Sequence, residues 1–206
     1  MSSQVAKIRR GRKYDQVING ARSVFLTDGF EGASVDEIAR AAGVSKATLY
    51  SYFPDKRILF MEMVTQQCQA QATTTVQSLD LTAPPDEVLR KGGQQFLGFL
   101  LSDMGQRIFR IVIAECERFP ELGQKFYESG PMVMRRVLVD YLTAAQSRGQ
   151  IRGNVDIALA ADQFGEMCKA DLWLKVIVGI RSDVSQADIS RVVDGAVDTF
   201  LARYGA

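Results

Sequence analysis

Residues 34–53, SVDEIARAAGVSKATLYSYF, constrain the fold of this 206-residue chain more than any other stretch. Ser34 followed by Glu37 is a capping box: a hydroxyl for an orphan N–H of the first turn and a carboxylate reaching back to the cap. Ile38, Ala41 and Ala42 fall at helical spacing on one apolar face, and Ala39 is small where a second helix must come close. Gly43 stands four residues later, where the chain needs a left-handed turn that β-carbons resist. Val44 plugs the turn, Ser45 caps the next helix, and Leu49, Tyr52 and Phe53 point inward. The spacing predicts a helix-turn-helix with Lys46, Ala47, Thr48, Tyr50 and Ser51 outward on its second helix.

Such a helix suits the DNA major groove. Small side chains near its start allow close approach to base edges, while Lys46 and Tyr50 reach phosphates. An ordinary helical packing corner has similar spacing, so the flanks matter. Gly29-Phe30 precedes the motif, and Tyr50-x-Tyr52-Phe53-Pro54-Asp55-Lys56 follows it. With these flanks, the stretch from about residue 12 to 64 resembles the DNA-binding domain of the TetR family of bacterial transcriptional regulators. One departure is Ala47, where many members carry Gly or a larger residue, so base preference is not inherited.

The resemblance implies an all-α, TetR-like fold of about nine helices. Residues 1–12 form a basic arm, 13–64 the DNA-binding domain with its motif at 34–53, and 65–206 a helical ligand-binding and dimerisation domain. The implied partner is a palindromic double-stranded operator. Ser34, Lys46, Tyr50, Tyr52 and Lys56 would mainly hold phosphates. Val44, Ala47 and Thr48 would meet base edges or thymine methyls, with Ser45 and Ser51 on the same surface.

Charge agrees with this division. Residues 1–56 hold nine Lys or Arg against six acids, a surplus of three, whereas the other 150 hold 16 against 18. Lys7, Arg9, Arg10, Arg12 and Lys13 crowd the arm with no acid before Asp15, which suits either a solvated tail or a phosphate or minor-groove contact. No run approaches the roughly 18 apolar residues of a membrane helix, and Met1 to Lys13 lacks a signal-peptide core, so a cytoplasmic protein is expected.

Catalysis has little support. The chain contains no histidine, which removes Ser-His-Asp and Cys-His constellations, histidine zinc sites and imidazole bases. It has no Gly-rich phosphate loop of Walker or Rossmann spacing. Glu115 and Glu117 bracket Cys116, but residues two apart on a helix do not share a face. Cys68, Cys116 and Cys168 are odd in number and far apart, which favours free thiols. No enzyme activity, metal site or cofactor is expected.

Beyond the motif the chain is helical throughout. Helix 1 covers about 13–28 and stops at Gly29; helix 4 runs from about 55 towards 79; Pro84-Pro85 breaks the chain. Further helices are expected at about 86–101, 104–118, 131–148, 156–180 and 186–204, with a short turn of helix near 121–128. In the last, Ile189, Val193, Val197 and Phe200 belong to an uninterrupted apolar stripe, and Leu172 and Val176 lie in an apolar stretch of the helix before. TetR-type regulators dimerise through their last two long helices, so these six residues are the expected homodimer seam; a fully internal stripe is the alternative.

A ligand chamber is expected between these regions. Phe96, Phe99 and Phe109, then Cys116, Phe126 and Met132, then Phe164, Met167 and Trp173 supply rings and pliable groups for an apolar or aromatic small-molecule effector. The alternative is plain core. The segments RIFRIVIAECERFPELGQKFYESGP and DQFGEMCKADLWLK resemble the AefR-like C-terminal domain found in one branch of the family. The expected protein is a homodimeric regulator, most simply a repressor released by its effector. A ligand-independent or activating regulator, and a small-molecule-binding helical protein with an incidental motif, are the competing readings.

Overall fold

The computed structural model describes residues 11–206; Lys7, Arg9 and Arg10 of the basic arm lie outside them. Eleven helices make up the described residues: α1 (Arg12–Gly32), α2 (Val35–Ala41), α3 (Lys46–Tyr52), α4 (Lys56–Ser78), α5 (Pro85–Leu101), α6 (Asp103–Glu115), α7 (Pro120–Ser129), α8 (Pro131–Ser147), α9 (Ile157–Met167), α10 (Leu172–Ile177) and α11 (Gln186–Tyr204). The only β pairing among them is an isolated bridge between Ile151 and Gly205. None of these helices is long and apolar enough to cross a membrane.

Two differences from the expected helices each fall at a residue with positive φ. Gly29 does not end α1 but kinks it, at φ 74° and ψ −177°, and one more turn carries buried Phe30 inward. The expected helix over 156–180 is broken between Met167 and Leu172, where Asp171 adopts φ 66°. Its carboxylate is held there by Lys175 and by Arg191 of α11, the latter at 2.7 Å. Neither Pro nor Gly marks this break.

The chain divides into two compact units. The first takes the residues up to Gln67 together with Ile111–Phe126, and the second takes Cys68–Arg110 with Tyr127–Ala206. Its boundary therefore differs from a cut at residue 64, because the end of α6 and most of α7 belong with the N-terminal helices. In the first unit Phe25, Phe30 and Phe60 pack ring on ring with centroids 5.0–6.0 Å apart, and Tyr14 lies 5.4 Å from Phe53. Gly20 lets α1 meet the motif at backbone contact: a β-carbon there would stand 2.6 Å from the Ala42 nitrogen.

In the second unit α11 packs on α5 and α9, and its core gathers Leu89, Leu97, Leu142, Ala160, Phe164, Cys168, Val193, Val197 and Phe200. Burial pushes the Cys168 thiol up to about 12, and burial pushes Cys68 up to about 11 against a hydrogen bond from Ser129 that lowers it. Both are inert apolar fillers at neutral pH.

Candidate nucleic-acid interface

The motif is built by contacts within a few residues of each cap. The Ser34 hydroxyl accepts the Glu37 N–H at 3.1 Å, and the Glu37 carboxylate accepts the Ser34 N–H at 3.2 Å and its hydroxyl at 2.6 Å. These bonds, the hydroxyl first, hold the Glu37 carboxyl below its ordinary range. Gly43 turns the chain at φ 63°, and the Val44 N–H closes the turn on the Ala39 carbonyl at 3.0 Å. Ser45 then caps α3 by accepting the Thr48 N–H at 3.1 Å.

Packing fixes which face of α3 is offered. Leu49 and Phe53 are fully buried with Ile38, Ala39 and Ala42, while Tyr52 is half-buried against Tyr14, with ring centroids 6.0 Å apart. Ala41, expected on the apolar face, is exposed. Lys46, Ala47, Tyr50 and Ser51 are exposed and Thr48 is half-exposed; Ser34 and Val44 are half-buried beside them and Ser45 is exposed. The outward set is the one the spacing predicts. It is a strip of small, hydroxyl and aromatic groups with a single cation, Lys46, which pairs with Asp36 of α2.

Lys56, expected to hold phosphate, is turned to the backbone in this structure. Its ammonium donates to the Phe30 carbonyl at 2.8 Å and the Ala33 carbonyl at 3.1 Å, and lies 4.7 Å from the centre of the Phe30 ring. A cation satisfies carbonyls at the end of a helix, so Lys56 ties the start of α4 to the end of α1. Tyr14 makes a second tie, donating to the Glu62 carboxylate of α4 and accepting from Gln66 at 2.8 Å. Phe119, between α6 and α7, makes a third. It meets the Phe30 ring at 5.7 Å and lies under the Arg57 and Arg118 guanidiniums, while Arg118 pairs with Glu31. Nothing in the sequence around Phe119 signals this role.

The expected dimer seam is internal. Leu172, Val193, Val197 and Phe200 are fully buried in their own subunit, and Val176 and Ile189 nearly so. The apolar stripe on α11 packs on α5 and α9, and α10, with Leu172 and Val176, packs on α5. The large apolar side chains left exposed in this region are Leu159, Leu174, Val178 and Ile180.

The nine expected chamber residues are shared between the two units. Cys116 and Phe126 belong to the first unit and the other seven to the second. Phe164 is core, packed edge-on against Phe200 at 5.5 Å, and Phe96 and Met167 pack partly buried on that core. Phe109 and Trp173 form an edge-on pair at 5.1 Å, while Phe99 and Met132 are half-buried. A cleft of about 560 Å³ between α9 and α11 includes Met167 alone of the nine, beside Leu159, Gln163 and Tyr204. Another, of about 510 Å³ along the second half of α4, includes none of them and is lined by Ala72, Val76 and Val133 with polar neighbours.

Comparison with known proteins agrees with the motif. Residues 17–63 match the model of the tetR family of bacterial regulatory proteins, and residues 87–206 match the AefR-like transcriptional repressor C-terminal domain. A TetR-family regulator from Mesorhizobium loti is 30% identical and superposes with a TM-score of 0.88 over 95% of this chain and 98% of its own. The flavonoid-responsive regulator FrrA is 35% identical, with a TM-score of 0.76 over 95% of this chain and 98% of its own. The transcriptional activator FasR of Mycolicibacterium smegmatis is 30% identical over 97 residues, 47% of this chain and 44% of that regulator. With a capped helix-turn-helix at 34–53 and an AefR-like domain over 87–206, the chain belongs to the TetR family of DNA-binding transcriptional regulators.

Proposed function

We propose that the protein acts in the cytoplasm as a homodimeric repressor, released from a palindromic operator by a small, mainly apolar effector. The observation that carries the DNA half is the outward strip of α3, with Ala47, Thr48, Tyr50 and Ser51 free of the core behind them. Each subunit lays α3 in a major groove. Val44, Ala47 and Thr48 read bases there, while Ser34, Ser45, Lys46, Tyr50, Ser51 and Tyr52 meet backbone or flank the contact. Lys56 supports α4 instead of phosphate. The second copy docks on α9, α10 and the turn that follows α10, where Leu159, Leu174, Val178 and Ile180 are 51–77% exposed.

For the effector, the similarity to a flavonoid-responsive regulator and the aromatic groups Phe109 and Trp173 favour a flat, largely neutral ligand. Burying an unpaired ion among such groups is costly. By linkage, the effector binds the DNA-incompetent state more tightly, and DNA weakens effector binding by the same factor. Selection of operator fragments from random DNA, repeated with a library of aromatic metabolites, tests the whole reading. Loss of the selected complex with one ligand class supports repression by release; complexes that tighten with ligand, or ignore every ligand, overturn it. An activating regulator is the second reading, favoured by the likeness to the activator FasR. A reporter behind the selected operator separates the two by the sign of the response.

A further inference from the structure

The reading head is electrically neutral. Residues 34–53 contain Asp36 and Glu37 against Arg40 and Lys46, two of each sign, and Asp55, Lys56 and Arg57 follow. Most of these charges are already engaged. Glu37 is held by Ser34, Asp55 by Arg57, and Lys56 by two carbonyls of the first unit. Lys46 is the only cation on α3, and Asp36 on the first turn of α2 pairs with it. Both side chains are 56% exposed, so the pair adds little to the stability of the fold. Its placement matters more. In a helix-turn-helix the first helix crosses the phosphate backbone while the second enters the groove, so an acid on α2 stands where phosphates pass.

We propose that Asp36 is an intramolecular stand-in for a DNA phosphate: it holds Lys46 in its phosphate-binding pose in the free protein and must yield it on binding. Each complex then exchanges one ion pair for another, and Lys46 contributes less to sequence-independent affinity than a free lysine would. The consequence is a brake on binding to bulk DNA, leaving base-edge contacts from Ala47 and Thr48 a larger share of the total. The proposal rests on the DNA-binding role of the family and on no ligand.

The test uses the full chain and a labelled random-sequence duplex, with wild type, Asp36→Asn, Lys46→Gln and the double variant, after thermal melts show all four folded. Asp36→Asn should tighten binding and steepen the logarithmic salt dependence by about one unit. Its gain should then be roughly 3.5-fold larger at about 50 mM salt than at about 200 mM. In the Lys46→Gln background the gain should fall by at least half. An unchanged or weakened affinity for Asp36→Asn overturns the proposal. An equal gain with and without Lys46 also overturns it, since the carboxylate would then act on phosphates directly. If the folded wild type binds no DNA even at low salt, the DNA-reading surface itself is wrongly placed, and the proposal falls with it.

Discussion

The two compact units rely on aromatic rings to different extents. In the first, large rings do the filling: Tyr14, Phe25, Phe53 and Phe60 are at most 1% exposed, and several meet edge to face. In the second, fewer rings are buried, and Tyr141, Phe164 and Phe200 share the core with aliphatic and small residues. Ala145, Ala160, Ala161 and Ala196 are buried there, and a β-carbon on Gly93 would stand 2.8 Å from Val193 and 3.2 Å from the Cys168 sulfur. Ring packing gives a few large contacts that aim a rigid motif; small residues let helix axes come close. The unit that must present α3 at one angle uses the first device, with Gly20 as its one close backbone approach.

The sharpest test of this contrast is a charge placed in the second unit's closed core. Val193→Asp and Val197→Asp each put a carboxylate at a position with no solvent exposure, which costs several kcal/mol unless the group neutralises. Urea denaturation should show a lowered midpoint and loss of folded protein, not well-folded monomers. A variant that melts like wild type yet sediments as a monomer would return the α11 stripe to the subunit interface. The exposed counterpart, Leu159→Asp, should leave the melting temperature near wild type and dissociate the dimer.

Added volume should hurt the two units differently. Gly20→Ala meets the backbone of Ala42 and displaces the motif, at about 2–3 kcal/mol with weakened DNA binding. Gly93→Ala meets chiefly side-chain tips, which shift more easily, so about 1–2 kcal/mol and unchanged DNA binding are expected. Equal losses of DNA affinity would erase the distinction between the units.

Within the first unit, Lys46 and Lys56 should separate cleanly. Lys56→Gln removes an ammonium from two carbonyls and a ring, which should lower stability by about 1–2 kcal/mol while the salt slope of DNA binding stays as in wild type. Lys46→Gln should weaken operator binding, lessen the slope by no more than about half a unit because Asp36 already offsets its charge, and leave the melting temperature unchanged. A slope change for Lys56→Gln would restore it to the phosphate contacts.

The smallest effect compares the capping boxes that open one helix in each unit. Asp188, held by the Ser185 hydroxyl and N–H and by Arg181, lies at about 2 against its usual 3.8. Glu37 is lowered from 4.5 by the Ser34 hydroxyl and N–H. A folded-state pKa below the unfolded one means each cap contributes fully above the unfolded value and is lost as pH falls through the folded one. For Asp188 that window lies between 3.8 and about 2. Carboxyl NMR titration should find Asp188 below Glu37; an Asp188 midpoint near 3.8 would remove its cap.

What the residues determined alone is what local contacts decide. The Ser34–Glu37 capping box, the Gly43 turn, inward Leu49 and Phe53 and the outward face of α3 all follow from groups a few positions apart, so spacing foretells them. Only the tertiary structure decided the rest. A stripe of Ile189, Val193, Val197 and Phe200 states that one face of α11 is buried, and nothing in its period says whether α5, α9 or a second copy does the burying. Lys56 finds its acceptors 23 and 26 residues earlier, and Phe119 joins a ring 89 positions away in the chain at Phe30. The helix break at Asp171 depends on Arg191, 20 residues on. These partners are chosen when helices pack, because burial and charge pairing depend on distance in space, which helical periodicity does not encode.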